Sequence, residues 1–403
     1  MARAAHDFES LISPLIPQEF FAEYWEKKHL HIQRSQEGFY ETIFSLDDVD
    51  RWIMLTRTGS LNSIKVMPPE ISPGGVRSYR PQDVSIDVLY DYFAQGHSIV
   101  LNNLQDSWLP LTQVVERLQA ALCADIGVNA YLTPQGSQTL PVHLDDHDVL
   151  ILQVYGEKIW RLHTLEMLSV RRLDYKKDLL YPPSWGPKRL ETPLLEELRL
   201  EPGDLLYIPR GMPHCAKARD SASFHLTVSI NPLYWTDFLQ AAVEQASVHA
   251  AHLRQALPIG FVNDSAAGAA MARQFVEVLR AFNESVSFDE AMEVVKRSRV
   301  RSCGFPRDGH FTQLAELQKI KTGTMVKRRA SILCMVESAD HQSAIRFGGR
   351  EVRGPANLRQ ALEFICNIQE AFQVAEIPGL DDPSKLVLAR RLVREGLLRL
   401  VEA

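Results

Sequence analysis

The sequence predicts a protein of the α+β class, in which a β-rich region precedes a mainly helical one. Between positions 129 and 230, short segments alternate polar and apolar residues, which is the pattern of half-buried strands. After Asn231-Pro232 the apolar residues recur at helical spacing, as at Phe238, Ala242 and Ala246. The chain has 403 residues, of which 45% are hydrophobic. That length is enough for two or three domains, each with a core of its own.

Overall composition restricts the function only loosely. The formal net charge of -6 argues neither for nor against a nucleic-acid partner. The five cysteines are scattered without a Cys-x-x-Cys pair, which indicates reduced thiols rather than a disulfide framework. The first residues lack the apolar segment of a signal peptide, and no apolar run of about 20 residues occurs. We therefore expect a protein that is neither exported nor inserted in a membrane.

The first part of the chain is predicted to hold helices and short strands that carry no chemistry. An aromatic-rich run at 20–29 predicts a helix, and a strand follows at 30–33. Ser45 is a helix N-cap followed by acidic residues, so we expect a helix through position 55. The stretch 68–81 is predicted to be a surface loop, with a position over a pocket mouth as the alternative. The remaining elements are a helix at 84–95, a strand at 97–102 and a helix at 111–122.

The region from 129 to 229 contains a candidate metal site. His143 and Asp145 are two residues apart, so in a strand both side chains lie on the same face. His214 follows a predicted strand at 205–209, which the turn 201–204 introduces. Two imidazoles and one carboxylate form the facial triad of non-heme Fe(II) oxygenases. A His-x-Asp pair alone is weak evidence, since such pairs also occur without a metal. His225 is the alternative third ligand, and we favour His214 because it follows Pro213 in an ordered turn after a strand.

Lys158 is an unusual residue for an apolar strand. The sequence around Gly156 predicts a two-residue hairpin turn between strands at 149–155 and 158–162. Alternation then places Lys158 on the same face as Trp160 and Leu162. An inward lysine must find an anion or lose its proton, because an unpaired buried charge is costly. A dicarboxylate co-substrate would supply that anion. The alternative is that the side chain extends to the rim of the sheet.

The final strand of this region carries a polar face formed by His225, Thr227 and Ser229. Asn129 and Tyr131 give an earlier strand a similar face. Such a face usually points to solvent. If the strands instead belong to a barrel with a wet interior, these residues line the pocket and provide donors around a bound carboxylate.

Several blocks in this region, in the same order, resemble the JmjC-type ribosomal oxygenases, which are Fe(II)- and 2-oxoglutarate-dependent protein hydroxylases of the cupin superfamily. The blocks are Asn129 to Gln138, His143-x-Asp145-Asp146, Leu152-Gln153 with Gly156-Glu-Lys158-x-Trp160-Arg161, Gly203 to Gly211 with Pro213-His214, and His225 to Ser229. The resemblance implies a double-stranded β-helix of the jelly-roll or cupin type. It also implies that the substrate is a histidine or arginine side chain of a ribosomal protein.

The resemblance assigns a role to seven residues. His143, Asp145 and His214 are implied as ligands of Fe(II), and Lys158 as the partner of the distal carboxylate of 2-oxoglutarate. The residues implied around that co-substrate are Asn129, Tyr131 and Ser229. His147-Asp148 and Tyr155 depart from the family pattern, and they bear on the fit of the substrate.

The C-terminal part is predicted to form two further domains. Helices are expected at 235–248, 268–282 and 288–300, where the resemblance favours a homodimer interface. Strands are expected at 325–336, 343–347 and 396–401, and helices at 358–370 and 383–395. With the resemblance, these elements suggest a winged-helix-like module. Basic residues outnumber acidic ones between 300 and 353, for which we favour a solvated or packing role over contact with nucleic acid. The predicted domains are therefore 1–234, 235–300 and 301–403.

Other functions fit the same core. A JmjC lysine demethylase or a small-molecule hydroxylase is the first alternative, and a metal-binding cupin without turnover is the second. The scattered cysteines offer no zinc cluster of the kind that accompanies lysine demethylases. The expected location is the cytoplasm if the source is bacterial, and the nucleus or nucleolus if it is eukaryotic.

Overall fold

A computed structural model describes most of the chain, namely residues 6–34, 36–56, 63–69, 85–164, 193–263, 267–302, 304, 308–339 and 341–401. The chain divides into two compact units, Met1–Asn231 and Pro232–Ala403. The finer division into three domains stays a prediction. Among the described residues, none of the helices combines the length and the apolar composition that a membrane crossing requires. Most of the predicted loop at 68–81 lies outside the described residues.

The first unit begins with helices and short strands and continues as a series of strands. Its helices are α1 Phe8–Ile12, α2 Pro17–Glu23, α3 Leu46–Thr56, α4 Ile86–Ala94 and α5 Leu109–Leu122. Its first five strands are β1 Leu30–Ile32, β2 Ile64–Met67, β3 Ser98–Leu101, β4 Asp125–Thr133 and β5 Asp148–Tyr155. The others are β6 Lys158–His163, β7 Leu194–Leu200, β8 Leu205–Ile208, β9 His214–Lys217 and β10 Ser223–Asn231. The sequence did not predict β2, β7 or β9.

These strands form two antiparallel sheets. The larger sheet has the order β1-β8-β5-β10-β4-β3-β2, and the smaller one has the order β7-β6-β9. Strand β5 is buried on both faces because Leu150 and Leu152 pack on the core beneath the N-terminal helices. Val149 and Ile151 point the other way and pack with Trp160 of the smaller sheet. The side-chain period of two therefore gives the larger sheet one helix-covered face and one face toward the smaller sheet.

The predicted hairpin at Gly156 is wrong. Strand β5 pairs with β8 and β10, whereas β6 pairs with β7 and β9, so the turn carries the chain from one sheet to the other. Gly156 has a positive φ of 61°. A Cβ at this position would lie 1.9 Å from the carbonyl oxygen of Ala222. The corner thus requires glycine both for its backbone conformation and for the close approach of the neighbouring chain.

The second unit is built of helices and two three-stranded sheets. Its helices are α6 Trp235–His249, α7 Ala267–Ser285, α8 Phe288–Ser302, α9 His310–Ala315, α10 Arg359–Asn367 and α11 Asp382–Arg394. Its strands are β11 Met325–Arg328, β12 Cys334–Ala339, β13 Gln342–Phe347, β14 Arg350–Pro355, β15 Phe372–Gln373 and β16 Leu398–Leu400. The sheets have the orders β15-β11-β16 and β12-β13-β14. The winged-helix-like assignment of this unit stays a prediction.

The single strand predicted at 325–336 is in fact two strands in different sheets. The chain turns between β11 and β12, where the side chain of Arg329 is buried. Arg329 pairs with Asp308 at 2.8 Å and donates to the carbonyl oxygens of Gly396 and Leu398. The neighbouring Arg328 is also buried. For these two members of the basic segment, the structure agrees with a packing role.

Candidate metal centre

A polar pocket lies between the two sheets of the first unit. Its volume is about 140 Å³. The larger sheet contributes side chains from β4, β5 and β10, and the smaller sheet contributes side chains from β6 and β9. The lining residues are Asn129, Tyr131, Thr139, Leu140, His143, Asp145, His147, Ile151, Lys158, Trp160, His214, Ala216, His225, Thr227 and Ser229. All seven of the predicted site residues therefore face one cavity.

The three predicted metal ligands converge on one point of this pocket. One ligand atom from each of His143, Asp145 and His214 can be chosen so that all three lie within 4.8 Å of one another. Nε2 of His214 is 3.6 Å from a carboxylate oxygen of Asp145. The centroids of the two imidazole rings are 4.4 Å apart. This spacing and this set of two nitrogens and one oxygen suit a divalent transition metal.

Backbone hydrogen bonds hold the segments that carry the three residues. The amide of His143 donates to the carbonyl of His214 at 3.0 Å, and the amide of His214 donates back at 2.8 Å. The amide of Gly211 donates to the carbonyl of Asp145 at 2.9 Å. His214 is the first residue of β9, so it begins a strand instead of standing in a closing turn as predicted. Main-chain pairing thus fixes both histidines before any metal binds.

Both imidazoles have the tautomer and the charge that a metal ligand needs. Nδ1 of His143 lies 2.9 Å from the carbonyl oxygen of Pro141, and Nδ1 of His214 lies 2.9 Å from that of Met212. A carbonyl can only accept, so each Nδ1 carries the hydrogen and each Nε2 keeps a free lone pair. Burial, reinforced by the neighbouring His143, lowers the pKa of His214 to about 4. His214 is therefore neutral, as a metal ligand must be, at neutral pH.

Asp145 supplies the negative charge of the cluster. Burial acts to raise the pKa of its carboxyl group, but His214, His147 and His143 act against burial and hold the pKa below its usual value. The ionised carboxylate is the form that binds a metal. Donor chemistry, orientation and protonation state therefore all fit a divalent metal ion.

Lys158 stands in the wall of the pocket with only 2% of its surface exposed. Its Nζ donates to Oγ1 of Thr133 at 2.9 Å. Within the described part of the chain, no carboxylate forms an ion pair with it. Burial lowers the pKa of Lys158 to about 7. The alternative that this side chain extends to the rim is excluded, and the buried amine provides a site for an anion.

Aromatic rings surround the space beside Lys158. His225 stacks on Tyr131 with ring centroids 5.0 Å apart, and it meets Trp160 edge to face at 5.5 Å. Burial and the nearby Lys158 hold the pKa of His225 well below its usual value. Nδ1 of His225 and Nε1 of Trp160 are buried, and neither has a partner among the described residues. His225 is thus a pocket-lining residue and lies outside the triad.

The remaining predicted residues line the pocket, and two of them already take part in hydrogen bonds. Oδ1 of Asn129 accepts from the amide of Asn103 at 3.0 Å, which leaves the amide hydrogens of Asn129 as donors. The hydroxyl of Ser229 donates to the carbonyl of Gly127 at 3.3 Å, so it must rotate to donate to a ligand. Burial raises the pKa of Tyr131, which keeps its phenol protonated and able to donate.

The residues that support Lys158 were not predicted from the sequence. Thr133 Oγ1 lies 3.0 Å from Thr139 Oγ1, which donates in turn to Ser98 at 3.1 Å. Thr133 follows Asn129 and Tyr131 at the strand period of two, so the alternation in β4 could have revealed it. Thr139 and Ser98 come from other segments, and no sequence pattern connects them.

Comparisons with known proteins place this pocket in a known domain. Residues 103–238 match the family model described as JmjC domain. Ribosomal oxygenase 1 of Gallus gallus is 31% identical over 318 residues, which cover 75% of this chain and 51% of that protein. The bifunctional lysine-specific demethylase and histidyl-hydroxylase NO66 of Drosophila erecta is 33% identical over 228 residues, or 55% of this chain and 33% of that protein.

A solved structure shares the fold along nearly the whole chain. YcfD, a ribosomal oxygenase from Escherichia coli solved in complex with cobalt and 2-oxoglutarate, matches with a TM-score of 0.58 and 17% identity. The match covers 96% of this chain and 99% of that one. The chain spans about half the length of the first curated relatives that it matches. The predicted cupin-type fold of the JmjC domain is therefore confirmed.

Proposed function

The chain is a JmjC-domain protein homologous to ribosomal oxygenase 1, and from this premise we propose that it is an Fe(II)- and 2-oxoglutarate-dependent oxygenase that hydroxylates a protein side chain. One observation carries the proposal. A single buried pocket contains a His-Asp-His cluster and, on a neighbouring strand, a buried lysine without a carboxylate partner among the described residues. A metal ion and an anion such as a dicarboxylate are the two ligands that suit these groups.

His143, Asp145 and His214 would hold the iron through two Nε2 atoms and one carboxylate oxygen. When bound, Fe(II) and 2-oxoglutarate supply the oxidative chemistry, in which dioxygen hydroxylates a C–H bond while the co-substrate becomes succinate and CO2. The chain itself holds the metal-binding side chains in position. Because backbone pairing already fixes the two histidines, little reorganisation opposes metal binding. The apolar cluster around Trp160 and Ile151 limits the access of water from one side.

Lys158 would bind the distal carboxylate of 2-oxoglutarate. Thr133 holds the ammonium in place, and its hydroxyl is itself held by Thr139. Asn129, Tyr131 and Ser229 provide further polar groups in the same wall. An ammonium and neutral donors in a dry pocket bind a carboxylate more strongly than they would in water.

The substrate would be a histidine or arginine side chain of a ribosomal protein. Two facts support this choice. The homologue from Gallus gallus is named a ribosomal oxygenase. The pocket of about 140 Å³ has room for a small dicarboxylate and little more, so a large substrate must stay outside and present one side chain.

We also propose that two copies associate through the helices between 235 and 300. Large apolar side chains on α6 and α7 are exposed, and an exposed apolar face of this kind favours association. They include Trp235, Leu239, Phe275, Val276 and Leu279. A ribosomal substrate would place the protein in the cytoplasm of a bacterium or the nucleolus of a eukaryotic cell.

The test is succinate formation from 2-oxoglutarate with Fe(II) and dioxygen, followed by mass spectrometry of isolated ribosomal subunits. We expect succinate and a mass gain of one oxygen atom on one ribosomal peptide. The His143→Ala variant should give neither. If the unaltered protein forms no more succinate than this variant, the chain is a metal-binding protein without turnover. Loss of methyl groups from histone-like peptides would instead favour demethylation, an activity that the name of the Drosophila erecta relative includes.

A further inference from the structure

Two cysteines of the second unit lie side by side although 32 positions separate them in the sequence. Cys334 begins β12, and Cys366 is in the last turn of α10. Their sulfur atoms are 3.1 Å apart. Sγ of Cys366 also lies 3.4 Å from the carbonyl oxygen of Cys334, and Sγ of Cys334 lies 3.8 Å from that of Cys366. Each side chain therefore points toward the other residue, and both are thiols in this structure.

We propose that Cys334 and Cys366 are a redox modification site, at which a peroxide oxidises the two thiols to a reversible disulfide. The sulfurs need to move about 1 Å closer to reach the S–S bond length of about 2.05 Å. Small rotations about the Cα–Cβ bonds provide such a shift. The strand and the helix already pack on the same apolar core, so no element has to be displaced.

The surroundings of the pair favour attack by one of the sulfurs. The thiol of Cys334 and the nearby guanidinium of Arg328 together lower the pKa of Cys366 to about 7. Arg328 is buried and donates to the carbonyl oxygens of Ile368 and Ile332, so its cation stays in place beside the sulfurs. The thiolate is the reactive form of cysteine. Both cysteines are half-buried, so a small oxidant can reach them.

The reaction balances with one molecule of hydrogen peroxide. The sulfur of Cys366 attacks a peroxide oxygen, the O–O bond breaks, and a sulfenic acid forms as the first water leaves. The sulfur of Cys334 then attacks the sulfenic sulfur, the S–S bond forms, and the sulfenic oxygen departs with the thiol proton as a second water. Two thiols are oxidised by two electrons in total, and the peroxide is reduced to water.

The disulfide would connect the first strand of the sheet β12-β13-β14 to the end of α10. The closed loop contains all three of those strands, so the bond restricts the unfolded chain over the whole of that sheet. We therefore expect the oxidised protein to unfold at a higher temperature than the reduced one. A reductant should reverse the change.

Peptide mapping of the folded, full-length chain tests the proposal. Trypsin separates the two cysteines, since Cys334 leaves in residues 330–346 and Cys366 in residues 360–385. After treatment with hydrogen peroxide and alkylation, we expect these two peptides as the main cross-linked species, and dithiothreitol should release them. Cys123 is exposed and Cys215 is buried in the other unit, and both should remain alkylatable as thiols. The same treatment in urea should spread cross-links over several cysteine pairs.

Two results would overturn the proposal. One is that Cys366 oxidises to sulfinic acid without joining Cys334. The other is that the folded chain gives the same mixture of cross-links as the chain in urea. The Cys334→Ser variant adds a second readout, because its unfolding temperature should not rise with peroxide. If that variant fails to fold, the peptide map of the unaltered chain still shows whether the disulfide forms.

Discussion

Lys158 shows how a single residue can favour ligand binding over stability. A buried lysine whose pKa falls from its usual value to about 7 costs a few kcal/mol of folding free energy, at about 1.4 kcal/mol for each pKa unit. The neutral amine has no such cost. The penalty is therefore complete below pH 7, and it declines as the pH rises from 7 toward the unfolded value of 10.5.

The first prediction is that Lys158→Met abolishes binding of 2-oxoglutarate and yet stabilises the empty protein by a few kcal/mol at pH 7, as measured by urea unfolding. The gain should shrink as the pH rises from 7 toward 10.5, because the unaltered lysine is then neutral in the folded state and loses its proton at a smaller cost. Lys217 is exposed on the neighbouring strand β9, so Lys217→Met is the matched control and should change neither property. A destabilised Lys158→Met variant would contradict this account.

The second prediction concerns the pH dependence of co-substrate binding. At pH values above 7 the amine of Lys158 is mostly neutral in the empty pocket, so the dicarboxylate must bind together with a proton. The Kd of 2-oxoglutarate for the Mn(II)-loaded protein should then rise as the pH rises from 7 to 9, by up to about tenfold per pH unit. Isothermal titration calorimetry measures this slope.

The Lys158→Arg variant serves as the control for the pH series. A guanidinium keeps its charge throughout this range, so its Kd should not change with pH even if its affinity is lower. A flat profile for the unaltered protein would show that the charge of Lys158 does not govern co-substrate binding.

At the scale of structural elements, the turn between β8 and β9 positions one of the proposed ligands. Asp148 is completely buried, and it accepts from Arg210 at 2.8 Å and from the hydroxyl of Tyr207 at 2.7 Å. Arg210 also pairs with Glu26 at 2.5 Å. The pair of Asp148 and Arg210 thus ties the start of β5, three residues after Asp145, to the turn that leads to His214. It was not evident from the sequence, because 62 positions separate the two residues.

The third prediction follows from this pair. Asp148→Asn leaves Arg210 buried with one partner fewer, so we expect a loss of stability on the order of 3 kcal/mol. The displaced turn should also weaken the binding of Mn(II), measured by calorimetry, by about tenfold or more. Glu197→Gln removes a carboxylate from the exposed pair with Arg161 and should change neither quantity. Unchanged Mn(II) affinity in Asp148→Asn would assign the pair to stability alone.

Most elements with a long, regular pattern were predictable, and the errors lie where the partner of a strand matters. Strands β4, β5, β6 and β10 were visible in the alternation of the sequence. The false hairpin at Gly156 had the right turn residue but the wrong partner strands. A local pattern defines the conformation of a segment, whereas its hydrogen-bonded partner depends on segments distant in sequence.

At the scale of the whole molecule, each unit has an apolar core of its own. The core of the second unit includes Leu362 on α10 and Leu392 on α11, neither of which is exposed. Both segments were predicted as helices from the sequence. It did not predict which residues share one core.

The fourth prediction is that Leu362→Ala destabilises the second unit by about 2–5 kcal/mol, because the deletion leaves a cavity in that core. Hydrogen exchange followed by mass spectrometry should show faster exchange in α10, β12 and β13. Val387 lies on α11 with 68% of its surface exposed, and Val387→Ala should leave the exchange rates unchanged. Equal effects of the two substitutions would show that burial of Leu362 does not stabilise this unit.

The sequence by itself indicated the kinds of ligand for which this protein has binding groups. The His-x-Asp pair, the Pro213-His214 segment and the inward lysine are short motifs, and their residue types together indicate a metal and an anion. Alternation placed Lys158 on one face of its strand, because that depends only on neighbouring residues. His143 and Asp145 were also predicted on a strand, but they precede β5, and among the described residues only a bridge between His143 and His214 ties them to a sheet.

Only the tertiary structure decided which of these faces meet. It placed the three ligand groups within 4.8 Å, joined Lys158 to Thr133, and brought Cys334 to 3.1 Å from Cys366. It also showed that the polar face of β10 lines a pocket instead of facing solvent. The physical reason is that pairing between distant strands, and the packing of one sheet against another, depend on the whole chain and leave no signal in a short segment.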